Sequence, residues 1–244
     1  MPAPARISEL GRWQIHHFAA LDSTNRYLLD AARGSVPDGL VAVADVQTAG
    51  RGRLDRRWEA PPGSSLLVSV LLDSAADPGR AVMAAGVALA RAVEQVAGVD
   101  AGLKWPNDLV VGDRKLAGIL AEREGDALVV GVGCNVNWAS FPPELADTAT
   151  ACNLEAGQAV DRDALLDAYL QAFAAALDDV DAVPDAYRER LTTLGRRVRV
   201  ERPGGDHLVG TATAVAGDGT LHVCDDEGVD HPVTAADVIH LRPT

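Results

Sequence analysis

Leu103-Lys104-Trp105-Pro106-Asn107-Asp108, followed closely by Asp113-Arg114-Lys115-Leu116-Ala117-Gly118-Ile119-Leu120-Ala121-Glu122, is the stretch on which the fold of this chain turns. Residues 103–111 and 115–122 read as two strands joined by a turn at Gly112-Asp113. Residues 127–136 read as a third strand, and the close spacing of the three predicts an antiparallel meander. Pro106 biases Trp105 toward an extended conformation. Strand alternation then sets Lys104 and Asn107 on opposite sides, unless the proline breaks the count. Lys115 opens the second strand, where Ala117 and Gly118 leave space on the sheet. Either a bound ligand or a closely packed second backbone would use that space.

Toward the N-terminus, residues 81–97 are rich in Ala and Val and read as a helix, 65–72 as a buried strand and 40–46 as a short strand. Residues 47–63 form a polar loop rich in Gly, Arg and Pro. Asp22-Ser23-Thr24-Asn25 caps a short helix over 26–33 that Gly34 ends, and 7–20 supplies a strand or entry segment. Toward the C-terminus, 161–180 is the strongest helix: Leu165, Leu166, Tyr169, Leu170, Phe173 and Leu177 fall on one face, behind an Asp161 cap. A further helix over 184–194 stops at Gly195. Beyond it lie short strand candidates at 197–201, 208–215, 220–224, 229–233 and 238–241, separated by glycine turns. They predict a small β-barrel, with the domain boundary at 194/195.

The chain has 244 residues and a formal net charge of −13, which argues against nucleic acid as its partner. Cys134, Cys152 and Cys224 are scattered without a C-x-x-C pair, so neither a disulfide framework nor a zinc site is expected. No apolar run reaches membrane-spanning length, and the N-terminus lacks a signal-peptide core. A soluble, cytoplasmic protein without a membrane partner is the expectation. Of 22 basic residues only Lys104 and Lys115 are lysine. Base composition explains most of that bias, but a surviving lysine points to a place where a compact, movable charge is needed rather than a planar fork.

Gln47-Thr48-Ala49-Gly50-Arg51-Gly52-Arg53-Leu54-Asp55-Arg56-Arg57-Trp58 sets four arginines among glycines in an otherwise acidic chain. Glycines admit close backbone approach and guanidinium forks bind phosphate, while a solvated surface loop is the plainer alternative. Lys104 beside Asp108 fits either a site or a surface ion pair worth under about 1 kcal/mol. Gly131-Val132-Gly133-Cys134-Asn135-Val136-Asn137 has a nucleotide-like glycine spacing, but Pro142-Pro143 forbids the helix that a dinucleotide fingerprint requires; glycines at a strand end with two asparagines can still meet a ligand such as a ribose or a phosphate. Ser23-Thr24-Asn25 is first of all a helix cap, although such a cap also aims hydroxyls and backbone N–H groups at one point.

Together and in this order, these segments resemble the biotin–protein ligases, through motifs over about residues 20–138 and through architecture over the remainder. Lys104-Trp105-Pro106-Asn107-Asp108 followed by Arg114-Lys115-Leu116-Ala117-Gly118 is the most specific part. The resemblance implies an α+β chain. Residues 1–194 would form a catalytic domain with a mixed β-sheet and flanking helices, related to class II aminoacyl-tRNA synthetases. Residues 195–244 would form an SH3-like β-barrel. Only about 20 residues precede Ser23, too few for the winged helix-turn-helix of some relatives, so the monofunctional kind is expected.

The implied chemistry joins biotin to ATP, giving biotinyl-AMP and pyrophosphate, then passes biotin to a lysine of the biotin carboxyl carrier domain of a biotin-dependent carboxylase. By resemblance, Ser23, Thr24, Asn25, Gln47, Gly50, Arg51, Gly52, Arg53, Lys115 and Gly118 surround biotin. Arg51, Arg53, Arg56, Trp58, Asn107, Lys115 and Asn135 hold ATP and the adenylate. Lys115, Arg51 and Arg53 form the catalytic set, with Lys115 bridging carboxylate and α-phosphate, and Asp108 orients the acceptor lysine. Mg2+ is expected with ATP, without fixed protein ligands. The 50–58 loop is expected to be mobile when empty and ordered over the adenylate. Many relatives have a glycine where Asp55 stands and a polar or basic residue where Leu54 stands, which predicts a stiffer or less basic loop. Monomer and homodimer both remain open. A lipoate–protein ligase fits less well, because lipoate has no ureido head to use Ser23, Thr24, Asn25 and Gln47. A biotin-binding sensor would have no use for the lysines and arginines of an ATP site.

Overall fold

Strand alternation gives the larger of two sheets two apolar faces, and each face is covered by its own helix. The computed structural model describes the chain except residues 35–37, 55, 74, 202–206, 235–236 and 241–244. In chain order the elements are β1 (Arg6–Leu10), β2 (Trp13–Phe18), α1 (Thr24–Ala32), β3 (Leu40–Ala44), β4 (Ser65–Leu72), α2 (Pro78–Ala97), β5 (Gly102–Lys104), β6 (Asp108–Val111), β7 (Arg114–Glu124) and β8 (Ala127–Asn135). They continue with α3 (Cys152–Ala156), α4 (Arg162–Asp178), α5 (Val183–Arg190), β9 (Arg197–Glu201), β10 (His207–Val215), β11 (Leu221–Cys224), β12 (Asp230–Val233) and β13 (Asp237–His240).

The eight-stranded sheet runs β1-β2-β3-β4-β8-β7-β6-β5. It is mixed: β2 and β3 pair in parallel and the other neighbours are antiparallel. Val41, Val43, Val68 and Val70 pack with α2 and α4 on one face, while Leu40, Ala42, Ala44 and Leu71 pack with Leu28 of α1 on the other. Small side chains let α2 lie close to the sheet: twelve of its residues are buried, seven of them alanines. Pro78 starts α2 behind an Asp77 cap, and Gly98, at φ 66°, ends it. Asp161 caps α4 by accepting from the N–H groups of Asp163 and Ala164. Among the described residues no helix is long and apolar enough to cross a membrane.

Several expectations are corrected. Residues 103–111 are not one strand, because the chain turns at Pro106, which has no N–H to continue a ladder. β5 and β6 instead pair directly, Lys104 opposite Asp108. The segment 7–20 is a hairpin of two strands turning at Gly11, φ 56°. The helix expected over 184–194 ends at Arg190, where the chain leaves to pair with β5 and Thr192 N–H donates to Leu103 O at 2.7 Å. Cys134 and Cys152, distant in sequence, are both buried and free, and a hydrogen bond between them together with burial pushes the Cys134 thiol up.

The five C-terminal strands form one antiparallel sheet, β12-β11-β10-β9-β13, around Val198, Val200, Ala212, Leu221 and Val223. It is tied to the larger sheet at several points. Trp105 Nε1–H donates to Gly219 O at 2.8 Å and Arg188 Nε–H to Val215 O at 2.8 Å. At the start of α2, Gly79 lies so close to Asp218 O that a Cβ would overlap it.

Candidate active site

The floor of the cleft is a patch of sheet cleared by three glycines. Gly118 of β7 pairs with Gly133 of β8, and Leu120 pairs with Gly131. A Cβ on Gly133 would lie 2.6 Å from Trp58 Cε2, and one on Gly131 would overlap Asn25 Oδ1. The glycines therefore make room for side chains arriving from other elements. The β6–β7 register shifts between Leu109 and Val110, leaving Leu116 as an extra residue on β7. Residues three apart on a regular strand face opposite ways, and one bulged residue brings them back to the same face. The bulge thereby turns Lys115 toward Gly118, where an added Cβ would lie 3.2 Å from Lys115 Nζ.

One end of the cleft is a hydrogen-bonded cluster around the start of α1. Ser23, Thr24 and Asn25 are all buried. Ser23 caps the helix by accepting from Arg26 N–H. Gln47 Oε1 accepts from Thr24 N–H at 2.8 Å and lies 3.0 Å from Thr24 Oγ1. Asn25 Nδ2–H donates to Glu122 Oε2 at 2.7 Å and to Leu120 O at 3.2 Å. Glu122 Oε1 in turn pairs with Arg51 Nη1 at 2.9 Å. Fully buried Ser69 of β4 contacts both Thr24 and Asn25.

The other end is cationic. The Gln47–Trp58 segment folds as a small hairpin: Arg51 bridges Arg57, Gly52 N–H donates to Arg56 O at 2.7 Å, and Trp58 N–H to Gly50 O at 3.0 Å. Leu54 at its tip is exposed and left-handed, φ 54°, and Asp55 lies outside the described residues. Burial holds the Arg53 guanidinium below its usual value; Asp108 opposes that shift and Arg56 adds to it. Arg53 Nη1–H reaches Asn107 Oδ1 at 3.5 Å, while Asn107 Nδ2–H is fixed to Ile119 O at 2.6 Å. Lys115 Nζ pairs with Asp108 Oδ1 at 2.6 Å and sits 5.7 Å from the Trp58 ring centroid. The indole Nε1–H of Trp58 is buried with no partner among the described residues.

A cavity of about 330 Å³ connects the two ends. Six cationic side chains line it, Arg51, Arg53, Arg56, Arg57, Lys104 and Lys115, against the carboxylates of Asp108 and Glu201. That concentration of positive charge in a chain of net charge −13 is the electrostatic mark of a polyanion site.

The cavity wall brings together Ser23, Thr24, Asn25, Gln47, Arg51, Gly52, Arg53, Arg56, Trp58, Asn107, Asp108, Lys115 and Gly118. Lys104 and Asn107 both border it, so the opposite-sides expectation fails where the turn at Pro106 breaks the alternation. Gly50 and Asn135 are not on the wall. Gly50 lets the hairpin base close on Trp58 O, and Asn135 Nδ2–H donates to Thr150 O at 3.0 Å behind the cavity. Sequence reading missed Ser69, Glu122 and the outer wall contributed by Glu201, Val238 and Ile239, and it offered Gly131 and Gly133 as glycines that can meet a ligand without placing them on the floor. A lone polar residue inside the apolar run 65–72 was the signal available for Ser69.

A glycine-floored cleft on a mixed sheet, uncharged and hydrogen-bonding at one end and cationic at the other, has the form of an acyl-activating ligase site. Residues 17–137 match the Biotin/lipoate A/B protein ligase family, and residues 193–241 match the Biotin protein ligase C terminal domain. The chain is 39% identical over 242 residues to a biotin–[acetyl-CoA-carboxylase] ligase of Mycobacterium tuberculosis, covering 94% of this chain and 90% of that one. It is 33% identical to a bifunctional ligase/repressor of Bacillus subtilis, but spans only 53% of that longer relative. A biotin protein ligase from Aquifex aeolicus, solved with biotin and ATP, superposes with a TM-score of 0.83 at 26% identity, over 93% of this chain and 99% of that one. The chain belongs to the biotin protein ligase family.

Proposed function

We propose that this chain is an ATP-dependent biotin–[acetyl-CoA-carboxylase] ligase, and that one observation carries the reading: Lys115 and Gly118 stand where the uncharged and cationic ends of the cavity meet. Biotin offers a polar urea ring at one end and a carboxylate at the other. Ser23, Thr24, Asn25 and Gln47 suit the urea, with Ser23 Oγ–H free to donate to its carbonyl. A polyphosphate needs the arginine hairpin. In the first step a carboxylate oxygen attacks the α-phosphorus, and the bond to the β-phosphate breaks to release pyrophosphate. Two anions must approach, so fixed cations lower that barrier. Lys115 exchanges Asp108 for the carboxylate and α-phosphate oxygens, and Arg51, Arg53 and Arg56 hold the phosphates under the cover of Trp58. Asn107 backs Arg53 at the nucleotide side. In the second step the acceptor lysine's amine attacks the acyl carbon and AMP leaves; Asp108, released from Lys115, orients that amine.

Among the described residues no group of three or more His, Cys, Asp or Glu is placed to hold a metal. Mg2+ would arrive on the triphosphate, held by the phosphates, and would screen their charge beside the cationic lining. We read the C-terminal sheet as the SH3-like domain, 195–244, the larger unit, 1–194, as synthetase-like, and the enzyme as cytoplasmic. The test is incubation with biotin, Mg-ATP and a biotin carboxyl carrier domain, followed by mass spectrometry. An ATP-dependent mass gain on the carrier's lysine is expected; no gain, or a gain without ATP, overturns the reading.

A further inference from the structure

Four oxygens stand in a row at the uncharged end of the cavity: Gln47 Oε1, Thr24 Oγ1, Ser69 Oγ and Asn25 Oδ1. Their successive separations are 3.0, 2.7 and 2.6 Å, each within hydrogen-bonding range. The two hydroxyls supply only two protons for these three contacts. Turning an amide does not mend the deficit. Gln47 Oε1 already accepts Thr24 N–H at 2.8 Å, and Asn25 Nδ2–H faces Leu120 O and Glu122 Oε2. A flip would set donor against donor at Gln47, or acceptor against acceptors at Asn25.

Burial decides which contact goes without. Ser69 is wholly enclosed and Asn25 nearly so, and no water can relieve two lone pairs facing each other there. Burial therefore favours placing the Ser69 proton toward Asn25 Oδ1, at the shortest separation, and the Thr24 proton toward Ser69 Oγ rather than toward Gln47 Oε1. The contact left without a proton is Thr24 to Gln47, the longest of the three and the one whose members both line the cavity.

We propose that Ser69, a residue behind the cavity wall, is a positioning residue for substrate choice: it turns the Thr24 hydroxyl proton away from the cavity, so that the Thr24–Gln47 edge accepts a ligand N–H and rejects an oxygen or sulfur in its place. This rests on the biotin reading, since the urea ring carries N–H donors on both sides of its carbonyl. The ligand then supplies the third proton of the row. Ser23 complements the edge, because its own proton is uncommitted among the described residues while its oxygen holds Arg26 N–H.

The test is calorimetric binding of biotin and of the two ring carbamates in which one or the other ureido N–H is replaced by oxygen. Wild-type protein is expected to bind at least one carbamate at least about 100-fold more weakly than biotin, as a site built around a donor rejects the analogue lacking it. In Ser69→Ala the Thr24 proton is free to turn toward the cavity, and that ratio is expected to shrink to about tenfold or less. In a Thr24→Val background Ser69→Ala should leave the ratio unchanged, because Ser69 acts through Thr24. A folded Ser69→Ala protein with the wild-type ratio, or effects that add across the two substitutions, overturns the proposal. Should Ser69→Ala not fold, the wild type still decides: equal affinity for biotin and both carbamates refutes the proton count. A wild-type protein that binds no biotin overturns the biotin reading itself, and this proposal with it.

Discussion

At the hydroxyl end of the cavity most of the side chains come from the start of α1 and from β4, are buried, and hold one another in fixed directions, with half-buried Gln47 reaching in from the base of the hairpin; at the arginine end they ride on the hairpin itself, whose tip is exposed, and Lys115 is paired with a carboxylate of the same wall. On the proposed placement of biotin and ATP, the difference suits the two ligands. A neutral urea is recognised by direction, which needs donors and acceptors immobilised beforehand. A polyphosphate is recognised by charge, and its α-phosphate must be met by a cation that can change partners. Rigid construction would hinder the second task, and loose construction would ruin the first.

The comparison breaks most visibly at Lys115. Lys115→Ala is expected to slow adenylate formation at least about 100-fold, the scale of losing one preorganised charge, with biotin affinity much less affected. Pyrophosphate release at near wild-type rate would remove Lys115 from its proposed role. At the rigid end, Gly131→Ala forces a methyl group into Asn25 Oδ1 and should destabilise the fold by about 1–3 kcal/mol, together with a weaker biotin affinity. Urea denaturation and calorimetry read the two effects, and an unchanged protein would show that the floor is looser than described.

At the end of β13, burial, then Lys104 and Arg196, push His240 from 6.5 down to about 4, with Asp113 opposing. The folded value lies below the unfolded one, so the unfolded chain takes up the proton first as pH falls. Stability from this group is complete above about 6.5 and is lost toward about 4. The ring is only half buried, so the loss is at most about 1–2 kcal/mol. His240→Gln should flatten that part of the thermal stability profile between these pH values, and an unaltered slope would discount the histidine. Smallest is Leu54→Gly, which relieves a left-handed leucine and should change stability by no more than about 1 kcal/mol in urea denaturation while leaving biotin affinity alone. A change in biotin affinity would mean that the hairpin tip and the hydroxyl end are coupled.

The charged end was largely legible in the sequence, since four clustered arginines and two isolated lysines stand out against an acidic background. The C-terminal strands were legible too, because glycine turns punctuate them. The hydroxyl end was legible only in its first layer. Ser69 lies inside a strand buried throughout, where a serine amid Leu and Val breaks the apolar run without telling what it meets, and its partners are 44 and 45 residues away in the chain. The bulge at Leu116 was hidden for another reason. Which residue of a strand is skipped depends on how its neighbour pairs with it, and the Lys115 backbone is also bonded to Thr148 and Thr150 from a distant loop. The turn at Pro106 put Lys104 and Asn107 on one wall for a similar reason: Trp105 is held there by Thr193 and Gly219, which lie far along the chain.

The scarcity of lysine has one more consequence on the proposed chemistry. A mixed anhydride of an acid and AMP acylates any amine it meets, and the protein that makes it is the nearest surface. Here 20 of 22 basic residues are arginines, whose guanidinium groups stay protonated and do not act as nucleophiles. Of the two lysines, one is clamped against Asp108 and both line the cavity. The outer surface thus offers the escaping intermediate no lysine to modify, and this catalyst is largely protected from its own product.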